Sequence, residues 1–251
     1  MRFVRFRDSA GGAARQGIIE DGVYRGIVGD IFGEWKATEE RVDPAQATLL
    51  APWEPATIVG IANNYVPAGQ VPPPKPELPA LFLKPGSSVI GPGEAIVMPA
   101  GLEEVKFEAE LVAVIGREAR NVSEKDALSC VFGYTVGNDV TAPQYFHPLG
   151  PWMAGKSYDT FTPLGPVLVQ GSDPSKYRVE SMLNGELKQS ADLGLMIMNI
   201  AEQIAFLSSM MTLRPGDAIF TGAPDGASMM RRGDTIACMV PGIGRLVNAV
   251  A

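Results

Sequence analysis

Two strand-like segments constrain this chain more than any other feature, because each carries acid where a buried strand should be apolar. VKFEAELVAVIG (105–116) and FGYTVGND (132–139) are dense in Val, Ile, Phe and Tyr, the residues that favour strands. Side chains two apart on a strand share a face. Glu108 and Glu110 therefore point the same way as Val112 and Val114. Adjacent carboxylates on an apolar surface repel each other and are costly to desolvate. A solvated edge strand escapes that cost, and an ExE pair alone fits one. LVAVIG is too apolar for a freely exposed ribbon, however, and Asp139 ends an equally apolar strand. A divalent cation removes the cost in another way. With Asp139 as a third oxygen ligand, Glu108, Glu110 and Asp139 suit magnesium, manganese or calcium rather than zinc or copper.

The remaining segments are also mostly short strands separated by Gly and Pro turns. They read at 1–7, 15–20, 22–28, 57–62, 165–170, 177–184, 218–221, 235–240 and 245–250, with Asn184-Gly185 as a hairpin turn. Two helices are expected. One covers 123–129, with Ser123 as N-cap and Asp126 three residues on. The other is amphipathic, covers 193–211 and stops at RPGD. The expected fold is α+β, mainly β, without the regular alternation of a β/α barrel. Residues 1–50 are expected to form a small β-rich N-terminal domain and 51–251 the larger domain. Six prolines between 67 and 79 make that stretch an extended loop. It is either a plain surface connector or a stiff rim over a pocket.

Several function classes drop out. The net charge is -7 and no Lys/Arg-rich run is present, which argues against nucleic acid as a partner. The single histidine, His147, excludes sites built from several imidazoles, as most catalytic zinc centres are. The absence of GxxxxGK[ST], GxSxG and GxGxxG weakens nucleotide-binding and serine-hydrolase readings. Cys130 and Cys238 are isolated, and residues 1–12 lack the apolar run of a secretion signal. They read as buried free thiols of a cytoplasmic protein. Asn199, Glu202 and Gln203 interrupt the most apolar long segment, so a membrane span is not expected.

Eight motifs follow in order: NNY (63–65), FLKPGSSVIGPG (82–93), FEAELVAVIG (107–116), FGYTVGNDVTA (132–142), GKSYDTFTPLGP (155–166), NGELKQ (184–189), RPGDAIFTGAP (214–224) and GIGRLVN (242–248). In this order and spacing the chain resembles the fumarylacetoacetate hydrolase family over residues 57–251. The resemblance implies a mixed β-roll catalytic domain, a homodimer, and magnesium or manganese held by Glu108, Glu110 and Asp139. It implies a small 2-oxo or β-dicarbonyl acid as substrate. In such members the cation chelates a carboxylate and its adjacent keto oxygen and stabilises the enolate formed when a neighbouring bond breaks. Lys156 is then the catalytic cation beside the metal. Tyr65, Lys84, Phe146, Asp159, Thr221 and Gly222 are implied as substrate-binding, with Thr221-Gly222 closing around the substrate carboxylate.

The chain departs from the family pattern in three places. Hydrolytic members carry NYxxHxxE on a lid, where the His–Glu pair activates water. Here those positions hold Ala68 and Val71, and the prolines preclude the short lid helix. The common NDVTARDxQ reads with Pro143 at the Arg position and Phe146 at the Gln position, and Ala223 stands where TGTP is common. The metal set and Lys156 are kept while water activation is lost. An enolate that releases carbon dioxide or a proton needs no activated water. Decarboxylation or keto–enol isomerisation is therefore expected ahead of C–C hydrolysis. His147 is either a structural or surface residue or a replacement base from the opposite wall. Tyr145, Phe146 and Trp152 either make the distal pocket aromatic or pack in the core. A hydrolase using another water-activating group and a non-catalytic metal-binding protein stay open as alternatives.

Overall fold

The computed structural model describes residues 1–251 apart from 68, 148, 149 and 151. Its centre is a mixed sheet of 12 strands. The acid-bearing strand Ala109–Ile115 lies inside that sheet, antiparallel to Val131–Asn138 on one side and to Ala218–Phe220 on the other. Ala218–Phe220 runs parallel to Ile58–Ile61, which pairs with the edge strand Leu81–Lys84. In the other direction Val131–Asn138 pairs with Thr162–Gln170, and that strand pairs with Arg2–Asp8 through Arg2↔Val169 and Phe3↔Leu168. Arg15–Glu20, Val23–Gly29 and Trp35–Val42 follow in turn, so the N-terminal strands continue the central sheet. A second sheet holds Glu186–Asp192, Arg178–Leu183, Thr235–Val240 and Gly244–Ala249 in that order. The fold is α+β and mainly β.

Ala109–Ile115 shows why its sequence is nearly continuous in apolar residues: both its faces are covered. Leu111, Ala113 and Ile115 pack into one core with Phe107, Ile204 and Leu207. Val112 and Val114 pack into the other with Phe3, Trp53, Ile58 and Phe220. Only the start of the strand carries acid, and that end opens into a cleft.

The long helix is shorter than its apolar run. It spans Ile200–Met210, not 193–211. Asn199 Oδ1 accepts the Glu202 N–H at 3.1 Å and Glu202 Oε2 accepts the Asn199 N–H at 2.8 Å. This reciprocal pair satisfies two otherwise orphaned donors and fixes the start. Upstream, Leu193–Leu195 is a single 3₁₀ turn, and the Met198 N–H is taken by the Asn64 side chain at 2.9 Å. Near 123 the helix is one turn, Glu124–Ala127, followed by the 3₁₀ turn Leu128–Cys130. Ser123 Oγ meets the Asp126 side chain at 2.7 Å instead of capping a backbone amide. No helix or strand forms among the described residues of 66–80. Both cysteines are buried and free, and no helix among the described residues is long and apolar enough to cross a membrane.

Candidate active site

Strand register assembles the acidic floor of the cleft. Asp139 directly follows Val131–Asn138, and its N–H donates to the Glu108 carbonyl at 2.8 Å. Asn138 Oδ1 accepts the Glu108 N–H at 2.9 Å and pins the same junction from the side chain. Ligand oxygens of Glu108, Glu110 and Asp139 consequently lie within 4.8 Å of one another.

Glu110 is buried, and its Oε2 accepts the Gly222 N–H at 2.7 Å. Gly222 has a φ of +105°, and a Cβ there would sit 2.7 Å from that of Asn64. Only glycine takes that conformation without strain. Burial, then the charges of Asp139 and Glu108, push the Glu110 carboxyl well above the usual carboxylate range. Asp139 behaves oppositely. Burial favours its neutral form, but Lys156 and Lys84 outweigh burial and hold it below its ordinary value. A desolvated acid facing two others, with oxygen donors only, is a set that a hard divalent cation fits.

Two buried lysines meet Asp139. Lys84 ends the edge strand, and its Nζ donates to Asp139 Oδ1 at 2.5 Å and to the Val140 carbonyl at 3.1 Å. Burial pushes the Lys84 pKa down, against the pull of Asp139. Lys156 closes the one-turn helix Met153–Lys156. It donates to Asp139 Oδ2, to Glu108 Oε2 at 3.0 Å and to Thr141 Oγ1 at 3.0 Å. Burial opposes its charge, yet Asp139 and Glu108 raise its pKa above the ordinary lysine value. Its Nζ lies 4.1 Å from the centroid of Phe82 and 5.9 Å from that of Phe146, a cation–π arrangement. Phe82 can lie there because Gly60 has no side chain; a Cβ would fall 1.9 Å from the ring.

The cleft encloses about 410 Å3, the scale of a small-molecule site. Glu108, Glu110, Asp139, Lys156, Tyr65 and Phe146 all line it. The Tyr65 hydroxyl is buried without a hydrogen-bond partner among the described residues, and burial, then Glu110, raise its pKa. A buried hydroxyl left unpaired is a natural ligand contact. Lys84 stands behind Asp139, outside the lining. The Thr221 hydroxyl is buried and donates to the Leu111 carbonyl at 2.8 Å, so it braces the acid-bearing strand, while Gly222 reaches the site through its N–H. Asp159, His147 and Val71 are exposed and lie outside the lining. Ala68 lies outside the described residues.

Three residues that sequence reasoning passed over belong to the site. Lys106 donates to Glu108 Oε1 at 2.8 Å, and Asp225 sits on the rim. Gln189 is fully buried. Its Oε1 accepts the Ala109 N–H at 3.1 Å and the Ser181 hydroxyl at 2.9 Å, and its Nε2 donates to the Pro224 carbonyl at 2.8 Å. It thus ties the amide between the two glutamates to the loop at Pro224, which lines the same cleft. The available signal was an amide side chain in phase with the buried Ala191, two residues on along an alternating strand.

Residues 57–251 match the family model described as fumarylacetoacetate (FAA) hydrolase C-terminal, and residues 1–52 match the Rv2993c-like N-terminal model. The mitochondrial oxaloacetate tautomerase of Xenopus laevis is 38% identical over 219 residues, which cover 81% of this chain and 68% of the relative. The structure of 2-hydroxyhepta-2,4-diene-1,7-dioate isomerase from Mycobacterium marinum superposes with a TM-score of 0.90 at 36% identity, covering 100% of this chain and 98% of that one. Maleylpyruvate hydrolase from Sphingobium sp. SYK-6, solved with manganese (II) and pyruvate, gives 0.82 at 27% identity, covering 100% and 99%. The family model runs through every strand that builds the acidic floor, and the chain belongs to the fumarylacetoacetate hydrolase family of enzymes.

Proposed function

We propose that this protein is a divalent-metal-dependent enzyme that converts a small 2-oxo acid by keto–enol isomerisation or decarboxylation. One observation carries the preference: the cleft keeps the acidic trio with Lys156 while Val71, at the lid glutamate position, is an exposed valine outside it. Glu108, Glu110 and Asp139 would hold magnesium or manganese, which when bound supplies a Lewis acid for a 2-oxo carboxylate. Lys156, with its raised pKa, is a poor proton acceptor, so its part is to face negative charge as it develops on the substrate oxygen. The unpaired Tyr65 hydroxyl offers a further donor in the same cleft. Phe82, Phe146 and Trp152 keep that wall apolar and limit water.

The oxaloacetate tautomerases of Xenopus laevis and Rattus norvegicus, 38% and 34% identical, support an enol-forming reaction. C–C hydrolysis is the second reading, supported by the likeness to maleylpyruvate hydrolase. It needs a group to activate water, and His147 lies outside the cleft lining. The test is a panel of 2-oxo acids and acylpyruvates assayed with manganese, with and without EDTA. EDTA-sensitive enolisation or decarboxylation, outpacing acylpyruvate cleavage, is expected. Faster acylpyruvate cleavage would reverse the ranking, and no metal-dependent turnover would favour a non-catalytic metal-binding role.

A further inference from the structure

The outer half of the cleft is built differently from its floor. Phe146 and Trp152 stack at 5.5 Å with their planes 17° apart, and Pro67 and Pro224 also line the cleft. Among the described residues no arginine or histidine lines the cleft. Its cations are Lys106 and Lys156, and both are turned to the floor. Lys156 directs its donors to Glu108, Asp139 and Thr141, so the charge it offers a substrate is confined to the floor. Lys106 is held by Glu108. Asp225 stands on the rim, its Oδ1 accepting the Gly226 N–H at 2.9 Å, so the turn itself keeps the carboxylate near the mouth.

Formal charge points the same way. The described lining sets Lys106 and Lys156 against Glu108, Glu110, Asp139 and Asp225. A divalent cation brings that set to balance, which leaves the buried Lys84 behind Asp139 to match one anionic group. A second carboxylate would enter beside Asp225 and lie against stacked rings, with no uncommitted cation to meet it. Resting on the reading that the cleft converts a 2-oxo acid, we infer that its substrate is a monoanionic 2-oxo acid with an aromatic or other apolar tail. Phe146 and Trp152 receive the tail, and Asp225 repels a second carboxylate. Discrimination by a placed repulsive charge is a general device of specificity. Two of the relatives are named for dicarboxylates, oxaloacetate and a 1,7-dioate; the inference sets this chain apart from them in substrate.

The test compares phenylpyruvate with oxaloacetate as probes, using the full chain loaded with manganese and following keto–enol conversion by ultraviolet absorbance. Wild type should favour phenylpyruvate in kcat/KM by about tenfold or more. Asp225→Asn should narrow the ratio several-fold by lowering KM for oxaloacetate, and Phe146→Gln should narrow it by weakening phenylpyruvate. Added salt should improve the oxaloacetate KM of wild type more than that of Asp225→Asn, because screening weakens the repulsion; a merely structural aspartate would not give that difference. Preference for oxaloacetate, or an oxaloacetate KM unmoved in Asp225→Asn, overturns the inference. If neither acid is turned over, calorimetry on the same loaded protein decides. Tighter binding of phenylpyruvate than of oxaloacetate upholds the tail pocket and sinks only the catalytic reading, while equal or weaker binding sinks the inference.

Discussion

On the floor of the cleft, Asp139 is held by a backbone bond to Glu108, by two buried lysines and by strands packed on both faces. At the rim, Phe146 follows the short turn Pro143–Tyr145, and Asp225 is braced by its neighbour's N–H. The floor is a coupled electrostatic set inside a sheet, so moving one member disturbs all the others. The rim residues Phe146 and Asp225 lie in turns outside the strands of the sheet. On the proposed reading, chemistry rests with the first and choice of substrate with the second, the division expected when loops are carried on a rigid scaffold.

The largest effect should come from the floor. Lys156→Ala removes the cation shared by Asp139, Glu108 and Thr141. Steady-state kinetics with saturating manganese should show kcat/KM down by about 10³-fold, and a loss under about tenfold would mean that the floor is not where reaction occurs. Next comes the tie between floor and rim. Gln189→Met frees the Ala109 amide and the Pro224 carbonyl together. Manganese affinity, read by calorimetric titration, should fall about 10- to 100-fold, the usual cost of losing an orienting partner behind a metal ligand. Gln189→Glu, which keeps the acceptor for Ala109, should lose less. Unchanged affinity in both variants would reduce Gln189 to a packing role.

The pH response of the metal-free protein should follow Glu110. Its folded-state pKa is raised above the ordinary value of 4.5. The native state then binds a proton that the unfolded chain has lost, so stability falls as pH rises beyond that value. Asp139, with a lowered folded-state pKa, contributes stability that is lost only as pH falls below the ordinary aspartate range. Melting curves in EDTA should therefore decline as pH rises above the ordinary glutamate range, and the gain on adding manganese should grow in the same direction. Glu110→Gln should flatten the decline; a decline of equal slope in that variant would assign it elsewhere. The smallest effect belongs to the outer loop. Val71 is 89% exposed and outside the lining. Val71→Ser should change kcat/KM by less than about twofold and stability by less than about 0.5 kcal/mol. A large loss of turnover would show that the proline-rich stretch closes over the substrate.

The floor was legible in the sequence because acid in an apolar strand is a local anomaly, and strand periodicity alone puts Glu108 and Glu110 on one face. The partners of those acids were not. Lys84 and Lys156 reach the two oxygens of Asp139 from an edge strand and a one-turn helix, a convergence that only tertiary structure creates. The start of the long helix was written in Asn199 and Glu202, but the apolar run before it, which is core-packed loop, concealed the cap. Trp35–Val42 escaped notice because it is an outer strand with charged, partly exposed side chains and little apolar alternation. The bond from the Thr221 hydroxyl to the Leu111 carbonyl joins segments far apart in sequence, which no local pattern announces.

The central claim is that Glu108, Glu110 and Asp139 jointly hold one divalent cation that in turn takes a 2-oxo carboxylate. Crystals soaked with manganese and oxalate, read by anomalous diffraction, test it most directly. The expected result is one manganese peak among these three carboxylates with oxalate on its open side. A cleft empty of manganese, or manganese bound only elsewhere on the protein, would contradict it.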